Sequence, residues 1–287
     1  MQVQQLLKTA AAALAEAGVE DSKLEAELLL RDCLGVSRSC LFLQHDQLVK
    51  PNLEQRFQDV LTRRCRREPL QYILGSCEFW SLEFLVAPAV LIPRPETEFL
   101  LEHVFSTLGL ERDSSELTIL DLCTGSGVVG VVLAMEFDHA VVTAADYSLD
   151  ALAVARENIA HHDLEERINL VCADLLTGFR TDQVFDVIVT NPPYVKVCDL
   201  SGLEPEVRDW EPEMALSGGE TGMDVINRIC AEAFHFLKPG GWLFMEIGAD
   251  IGEQVKHVFA ASNRYEQVSV MQDWAGKPRV LQAKLVE

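Results

Sequence analysis

The 287-residue sequence predicts an α/β fold: a mostly parallel seven-stranded sheet with an antiparallel terminal hairpin, preceded by a small helical domain. Short apolar runs alternate with helical stretches from Leu117 onward, the pattern of strands joined by crossover helices. The predicted strands are Leu117–Leu122, Ala140–Ala145, Ile168–Cys172, Val184–Thr190, Trp242–Ile247, Gln267–Met271 and Val280–Val286. Only a short turn-rich gap separates the last two runs, so they are expected to pair as an antiparallel hairpin.

Composition and periodicity divide the chain into three segments. Residues 1–74 carry apolar side chains at helical spacing, as at Leu6 and Leu14, and predict a small helical domain. Residues 75–92 are rich in aromatic and β-branched side chains and predict a β-hairpin connector. Residues 93–287 hold the alternating strands and helices, and therefore the predicted sheet.

Charge and cysteine content exclude several classes of protein. The formal net charge of −21 repels phosphate backbones, so we expect no stable nucleic-acid partner. The eight cysteines form no C-x-x-C pair and mostly lie in apolar runs, so they predict reduced, buried thiols without a disulfide framework or zinc site. No apolar run approaches the roughly 18 residues of a membrane span, so no membrane partner is expected. We expect a monomeric cytoplasmic protein without a metal site.

A glycine-rich turn joins the first predicted strand to the helix that follows it. Gly125, Gly127 and Gly130 have the spacing G-x-G-x-x-G, so a dinucleotide-binding oxidoreductase stays open on this motif alone. Asp121 precedes the loop, where a carboxylate would repel a pyrophosphate but attract the ammonium and sulfonium charges of S-adenosylmethionine. This carboxylate therefore favours S-adenosylmethionine as the cofactor.

Two more carboxylates follow the next strands of the predicted sheet. Asp146 ends the second strand, at the position from which a carboxylate accepts hydrogen bonds from ribose hydroxyls of either cofactor. Asp174 follows the third strand, where it could bind the adenine amino group or, equally, cap a helix.

The most specific chemistry follows the strand Val184–Thr190, at Asn191, Pro192, Pro193 and Tyr194. Each proline holds the residue before it extended, which leaves the Asn191 side-chain oxygen and the Pro192 carbonyl as free acceptors. These acceptors can hold both N–H bonds of an incoming planar NH2 group and direct its lone pair at a methyl carbon. Tyr194 offers an aromatic face for a planar amide or base. Methyl transfer to a planar nitrogen is thus predicted, with Asn191, Pro192 and Tyr194 as catalytic residues.

Several stretches together resemble the HemK/PrmC family of protein-(glutamine-N5) methyltransferases, which have the Rossmann-like class I methyltransferase fold. They are residues 67–75, residues 90–98, the glycine loop, Asn191 to Tyr194, Glu211-Pro212 and Pro239-Gly240-Gly241, and they span nearly the whole chain. The resemblance implies S-adenosylmethionine as cofactor and class 1 peptide chain release factors as protein partners, methylated at the glutamine of a Gly-Gly-Gln motif. It also implies that residues 1–74 recognise the substrate and that residues 93–287 form the methyltransferase domain.

The resemblance also assigns site residues. Beside Asp121, the implied cofactor positions are Cys123, Thr124, Gly125, Ser126, Gly127, Asp146, Asp174, Leu175 and Asn191. The implied substrate positions are Asn191, Pro192, Pro193 and Tyr194. To these we add Arg94, from a proline-stiffened loop that would overhang the site or, equally, cap the helix that follows. Cys123 stands where several relatives have glycine, and Leu175 stands where some have an aromatic residue.

Alternatives to release factor methylation stay open at this point. A ribosomal-protein glutamine methyltransferase would share the same motifs. An adenine-N6 nucleic acid methyltransferase could clamp an exocyclic amine with the same four residues, although the acidic charge argues against it. A noncatalytic binding module is disfavoured by the intact Asn191 and Tyr194.

Overall fold

The computed structural model describes residues 1–109, 116–182 and 184–287, which form two compact units. The first unit comprises Met1–Ser76 and Glu204–Trp210, and the second comprises Cys77–Leu203 and Glu211–Glu287. Within the described ranges, no helix combines the length and the apolar character needed to cross a lipid bilayer.

The first unit is a helical bundle around its own apolar core. Its helices are α1 (Val3–Glu16), α2 (Ser22–Leu34), α3 (Arg38–Leu43), α4 (Pro51–Cys65) and α5 (Leu70–Leu74). Pro51 fits the first turn of α4 because the N–H groups of a first turn have no acceptor within the helix, so the N–H that proline lacks costs no hydrogen bond. Leu6 and Leu14 lie on one face of α1 and pack in this core with Leu29 of α2 and Phe57 of α4, all four fully buried.

Buried ion pairs hold the returning segment Glu204–Trp210 within the first unit. Arg64, only 5% exposed, contacts Glu25 at 2.5 Å and Glu206 at 2.9 Å. Arg67 adds a two-pronged contact to the Glu206 carboxylate, at 2.6 and 2.5 Å. The sequence prediction assigned this segment, which contains α9 (Pro205–Arg208), to the C-terminal domain. The arginine pairs that attach it involve residues too far apart in the chain for spacing to reveal.

The second unit contains a small strand pair, a large sheet and the helices around it. The strand pair is β1 (Ser76–Phe79) with β2 (Leu82–Leu85), of which only Ser76 falls in the first unit. The large sheet comprises β3 (Thr118–Leu122), β4 (Val141–Asp146), β5 (Ile168–Cys172), β6 (Phe185–Thr190), β7 (Leu237–Glu246), β8 (Tyr265–Gln272) and β9 (Pro278–Leu285). The helices are α6 (Pro95–Leu108), α7 (Val128–Glu136), α8 (Leu149–His161), α10 (Glu213–Leu216), α11 (Asp224–Glu232) and α12 (Gly252–Ala261).

The large sheet has the order β5-β4-β3-β6-β7-β9-β8. The pairings from β5 to β7 are parallel, whereas β9 runs antiparallel to both β7 and β8. Two apolar clusters cover the sheet, one containing Ile119 and Val189, the other Leu120 and Ile188. Successive side chains of a central strand thus enter opposite cores, which explains why the parallel strands are mostly apolar and do not alternate apolar with polar residues. The predicted fold class, including the terminal hairpin, is confirmed.

Strand β7 begins at Leu237, five residues before the predicted start at Trp242. The register against β6 shifts between Phe185 and Val187, which pair with Leu237 and Trp242. The intervening Pro-Gly-Gly sequence forms the irregularity, and Gly240 has φ 76°, a conformation that favours glycine. The prediction began the strand at Trp242 because proline and glycine are uncommon inside strands, and local composition does not show that the pairing with β6 extends to Leu237.

Candidate active site

An open cavity of about 460 Å³ lies at the carboxyl edge of the large sheet. That volume falls within the range of about 300 to 1,000 Å³ typical of small-molecule sites. Of the predicted site residues, those that line it are Cys123, Thr124, Gly125, Ser126, Asp146, Asp174, Leu175, Asn191 and Pro193. Those that are not among its lining residues are Asp121, Gly127, Pro192, Tyr194 and Arg94.

The glycine loop between β3 and α7 uses left-handed backbone conformations at alternate positions. Cys123, Gly125 and Gly127 have φ values of 61°, 56° and 84°. A glycine adopts these angles without strain, whereas Cys123 places a Cβ in the left-handed region. A Cβ at Gly127 would also approach the Ala155 Cβ to 3.2 Å, so the loop fits closely over α8.

Asp121 lies beneath the glycine loop and is 1% exposed. Its carboxylate accepts hydrogen bonds from the Thr124 hydroxyl and, at 2.9 Å, from the Gly130 N–H. Burial raises the pKa of Asp121 to about 7 against the opposing effect of these two donors. The observed contacts brace the loop, while direct contact of Asp121 with a cofactor cation stays a prediction.

Asp146 connects the end of β4 to the glycine loop. Its two carboxylate oxygens accept hydrogen bonds from the Gly125 N–H and the Ser148 N–H, each at 2.9 Å. Burial raises the pKa of Asp146, although these backbone donors oppose the shift. Each oxygen retains a second lone pair, so Asp146 can brace the loop and also accept a hydroxyl donor from the cavity.

Asp174 pairs with an arginine that sequence reasoning did not single out. The Arg228 guanidinium of α11 contacts the Asp174 carboxylate at 2.9 Å, and both side chains line the cavity. Leu175 follows with φ 51°, which turns the chain sharply after Asp174. The residues that follow Asp174 form turns and no helix, so its carboxylate pairs with the Arg228 cation and is not a helix cap.

A hydrogen-bond chain connects the residues after β6 to two other elements. The Asn191 amide donates to the Thr97 hydroxyl of α6 at 3.1 Å, and Thr97 donates to Glu246 of β7 at 2.7 Å. The Tyr194 hydroxyl donates to the second oxygen of Glu246 at 3.0 Å. Burial and the neighbouring carboxylate of Glu246 raise the pKa of Tyr194. Tyr194 is therefore a neutral, anchored side chain.

The backbone of the same stretch is held by a second strand-like segment. Val195 donates from its N–H to Leu216 and accepts from the Gly218 N–H, both at 2.8 Å. A Cβ at Gly218 would lie 2.7 Å from the Tyr194 Cα, so only glycine fits there. Among the described residues, none donates a hydrogen bond to the Pro192 carbonyl, although Pro192 is buried and is not among the residues that line the cavity.

Arg94 is held by an acidic partner close to the site. Its guanidinium contacts Glu211 at 2.5 Å, and Glu211 also accepts a hydrogen bond from the Ile92 N–H at 3.3 Å. Burial raises the pKa of Glu211 above its usual range, while the positive charge of Arg94 opposes the shift. Because this pair fixes the chain before α6, a direct contact of Arg94 with substrate stays a prediction.

Sequence reasoning missed several residues at the site, namely Thr97, Tyr147, Arg228 and Glu246. Glu246 carried a usable signal, because a carboxylate in an apolar strand needs buried donors. Tyr147 directly follows Asp146, is 63% exposed and lines the cavity with an aromatic ring. Thr97 and Arg228 carried no such signal, since ordinary helix positions hold both residue types.

The chemistry of the described residues gives no metal centre. Within the described ranges, no group of three or more His, Cys, Asp and Glu side chains is arranged to hold a metal ion. All eight cysteines are free, but only Cys33 and Cys230 are buried, so the prediction of buried thiols is wrong for the other six. An apolar run in the sequence does not fix which of its side chains face the core.

Comparison with known proteins identifies the family. The PrmC N-terminal domain profile matches residues 5–75, and the methyltransferase small domain profile matches residues 95–201. The chain is 40% identical to the release factor glutamine methyltransferase of Koribacter versatilis over 281 residues, which cover 98% of each protein. The chain belongs to the release factor glutamine methyltransferase family. The enzyme of that name from Geobacter sulfurreducens is 41% identical over 86% of this chain and 84% of its own.

Solved structures of more distant proteins share the fold of this family member. A methyltransferase from Pyrococcus furiosus superposes with a TM-score of 0.55 at 20% identity, covering 79% of this chain and 99% of its own. A ribosomal protein L11 methylase from Lactobacillus delbrueckii subsp. bulgaricus gives 0.51 at 18% identity, covering 70% and 84%. These similarities confirm the Rossmann-like methyltransferase fold.

Family membership confirms that the chain is an S-adenosylmethionine-dependent methyltransferase, and the cavity fits that cofactor. At Gly125, a Cβ would meet no atom within 4 Å, so the loop leaves open space where the cavity passes it. Carboxylates and backbone groups meet around this space, as a ligand with a cation, a ribose and a base requires. Membership of this methyltransferase family excludes the oxidoreductase alternative.

Proposed function

We propose that this enzyme methylates the side-chain amide nitrogen, N5, of the glutamine in the Gly-Gly-Gln motif of class 1 peptide chain release factors. The observation that carries this proposal is near-full-length similarity to relatives named for release factor glutamine methylation. The free acceptors after β6 support the same chemistry, because a primary amide presents two N–H donors on one planar nitrogen.

S-adenosylmethionine supplies a methyl group activated by the sulfonium charge. In the proposed reaction, the Asn191 side-chain oxygen and the Pro192 carbonyl accept the two N–H bonds of the glutamine amide. These two hydrogen bonds favour a pyramidal nitrogen and stabilise the positive charge that develops as the new N–C bond forms. Pro193 and the Tyr194 ring would fix the plane of the amide, and Arg94 would order the loop over it. The product amide loses its extra proton to water.

The cofactor roles are proposed from placement around the cavity. Residues Cys123 to Gly127 would surround the methionyl part, with Asp121 holding the loop in shape from below. Asp146 would accept the ribose hydroxyls, and Asp174 with Leu175 would flank the adenine. Because all these residues come from one chain, a monomer suffices for the reaction.

Two rival substrates remain to be separated experimentally. A ribosomal-protein glutamine presents the same amide, but the relatives named above are release factor enzymes. An adenine in nucleic acid presents a similar NH2 group, but the net charge of −21 opposes binding of a phosphate backbone. Action on a translation factor places the proposed reaction in the cytoplasm.

The test is transfer of labelled methyl from S-adenosylmethionine to four candidates: an unmethylated release factor, its glutamine-to-alanine variant, ribosomal proteins and adenine-containing DNA. The proposal expects label on the intact release factor alone. Label on ribosomal protein or DNA with none on the factor would replace the proposed substrate by that one.

A further inference from the structure

The Thr97 hydroxyl occupies the middle of the hydrogen-bond chain and has a single proton to give. Thr97 is 3% exposed, and its oxygen lies 2.7 Å from Glu246 and 3.1 Å from the Asn191 amide. Burial raises the pKa of Glu246, and the Thr97 and Tyr194 hydroxyls together with the positive charge of Arg279 oppose that shift. Each Glu246 oxygen faces one hydroxyl donor, and a carboxylate that accepts at both oxygens leaves the Thr97 proton committed to Glu246. The Thr97 oxygen can then only accept from its other neighbour.

That commitment fixes which end of the Asn191 amide faces Thr97. The NH2 end donates to the Thr97 oxygen, whereas the reverse orientation would place two acceptor oxygens together with no proton between them. The carbonyl end of the amide is consequently directed away from Thr97. Since Asn191 lines the cavity, this oxygen is the one available to an incoming N–H donor.

Glu246 also fixes the orientation of Tyr194, at the other end of the segment Asn191 to Tyr194. Its other carboxylate oxygen accepts from the Tyr194 hydroxyl at 3.0 Å, so one carboxylate orients both Asn191 and Tyr194. Glu246 can reach both because β6 and β7 are parallel neighbours, with Thr190 paired to Met245. At 1% exposure, Glu246 has no solvent to satisfy it, so these donors are its partners.

We infer that Glu246, acting through Thr97, is a positioning residue that sets the direction of the Asn191 amide and so presents its oxygen to the substrate nitrogen. This inference rests on the proposed methylation of an amide nitrogen. With the amide reversed, an NH2 group would meet the substrate NH2 group, and the lone pair would not be aligned with the methyl carbon.

Reversing the direction of donation along the hydrogen bonds from Asn191 through Thr97 to Glu246 tests this inference. Asn191→Asp alone places an acceptor against the Thr97 oxygen and should lower kcat by about a hundredfold, the effect of a misplaced reacting group. Adding Glu246→Gln supplies an amide donor to Thr97, whose proton can then turn to the carboxylate at position 191. The double variant should therefore regain about tenfold in kcat over Asn191→Asp, although Glu246→Gln alone lowers the rate.

A second series tests the same relay at its midpoint. Thr97→Val removes the hydroxyl at nearly constant volume and should lower kcat about tenfold or more, with the KM for S-adenosylmethionine little changed. Thr97→Ser, which keeps the hydroxyl, should recover most of that rate. Thr107→Val, on the same helix but hydrogen-bonded only weakly to Gln282 at 3.4 Å, is the control and should match wild type.

The wild-type enzyme is measured first on an unmethylated release factor, and the melting temperature of each variant is recorded. No transfer by wild type would remove the proposed function itself. Transfer by wild type, with losses in Asn191→Asp and Glu246→Gln that simply add in the double variant, would overturn the relay alone. Equal rates for folded Thr97→Val and wild type would overturn it too.

Discussion

The Arg228 guanidinium lies 2.9 Å from the Asp174 carboxylate, and both side chains line the cavity. Asp174 is the proposed acceptor for the adenine amino group. Asp174→Ala should therefore raise the Kd for S-adenosylmethionine about tenfold, the loss expected for one hydrogen bond to a charged acceptor. Arg228→Ala should have a smaller effect, because both side chains are partly exposed and the pair is screened.

Calorimetric titration of S-adenosylmethionine checks this prediction. Arg180→Ala is the control, since Arg180 is almost fully exposed, contacts Asp182 at 3.6 Å and does not line the cavity. Affinity unchanged by Asp174→Ala would show that the adenine lies elsewhere.

Gly218 packs closely against the backbone of Pro193 and Tyr194, two of the proposed substrate-binding residues. An added Cβ would lie 2.7 Å from the Tyr194 Cα and 2.8 Å from the Pro193 carbonyl oxygen, both of which are backbone atoms. Because backbone cannot move aside as a flexible side chain can, Gly218→Ala should lower kcat about a hundredfold. Single-turnover methylation measures the loss. Gly202→Ala, where a Cβ would meet nothing within 4 Å, should behave as wild type, and equal rates for both variants would contradict the account.

Asn158 of α8 ties the strand pair to the glycine loop. Its side chain accepts from the Leu85 N–H at 2.7 Å and donates to the carbonyls of Leu85 and Ser126, at 3.0 and 2.8 Å. Asn158→Ala would leave these buried groups without partners and should lower the free energy of unfolding by about 2 to 4 kcal/mol. Urea denaturation measures this, with the exposed Asn227→Ala as control. A loss no larger than that of the control would be inconsistent with the observed bonding.

Asp121 gives the stability a distinct pH dependence. Burial raises the pKa of its carboxyl from 3.8 to about 7, so between these values the folded protein retains a proton that the unfolded chain has released. The resulting stabilisation is complete below the unfolded pKa and is lost as the pH rises through the folded one. Asp121→Asn has no titrating group at this position. The difference in unfolding free energy between wild type and variant should therefore change between pH 3.8 and about 7 and be flat above that range. Parallel profiles would argue against a protonated Asp121.

The sheet was predictable from the sequence because its central strands are buried on both faces. Runs such as Phe185–Thr190 are mostly apolar, with Asp186 and Thr190 as exceptions, and each is followed by turn or helix signals that separate it from the next strand. The boundary of β7 was less predictable, because local composition marks the glycines as a turn although the pairing with β6 continues beyond them.

The candidate site was predictable where its residues are neighbours in the chain, as in Cys123 to Gly127 and Asn191 to Tyr194. The supporting residues come from distant elements: Thr97 and Glu246 are separated by 149 positions. Hydrogen bonds between such residues depend on the strand order and on helix placement, which spacing along the chain does not encode. The engagement of Asp121 by Thr124 and Gly130 likewise became visible only in the folded loop.

The most direct test of the central claim is mass spectrometry of the Gly-Gly-Gln peptide from an unmethylated release factor incubated with S-adenosylmethionine and the enzyme. The account predicts one added methyl group, localised by fragmentation to the glutamine side chain. It predicts no such product with Asn191→Ala, even when that variant still binds the cofactor. A methyl group on another residue, or full methylation by Asn191→Ala, would contradict it.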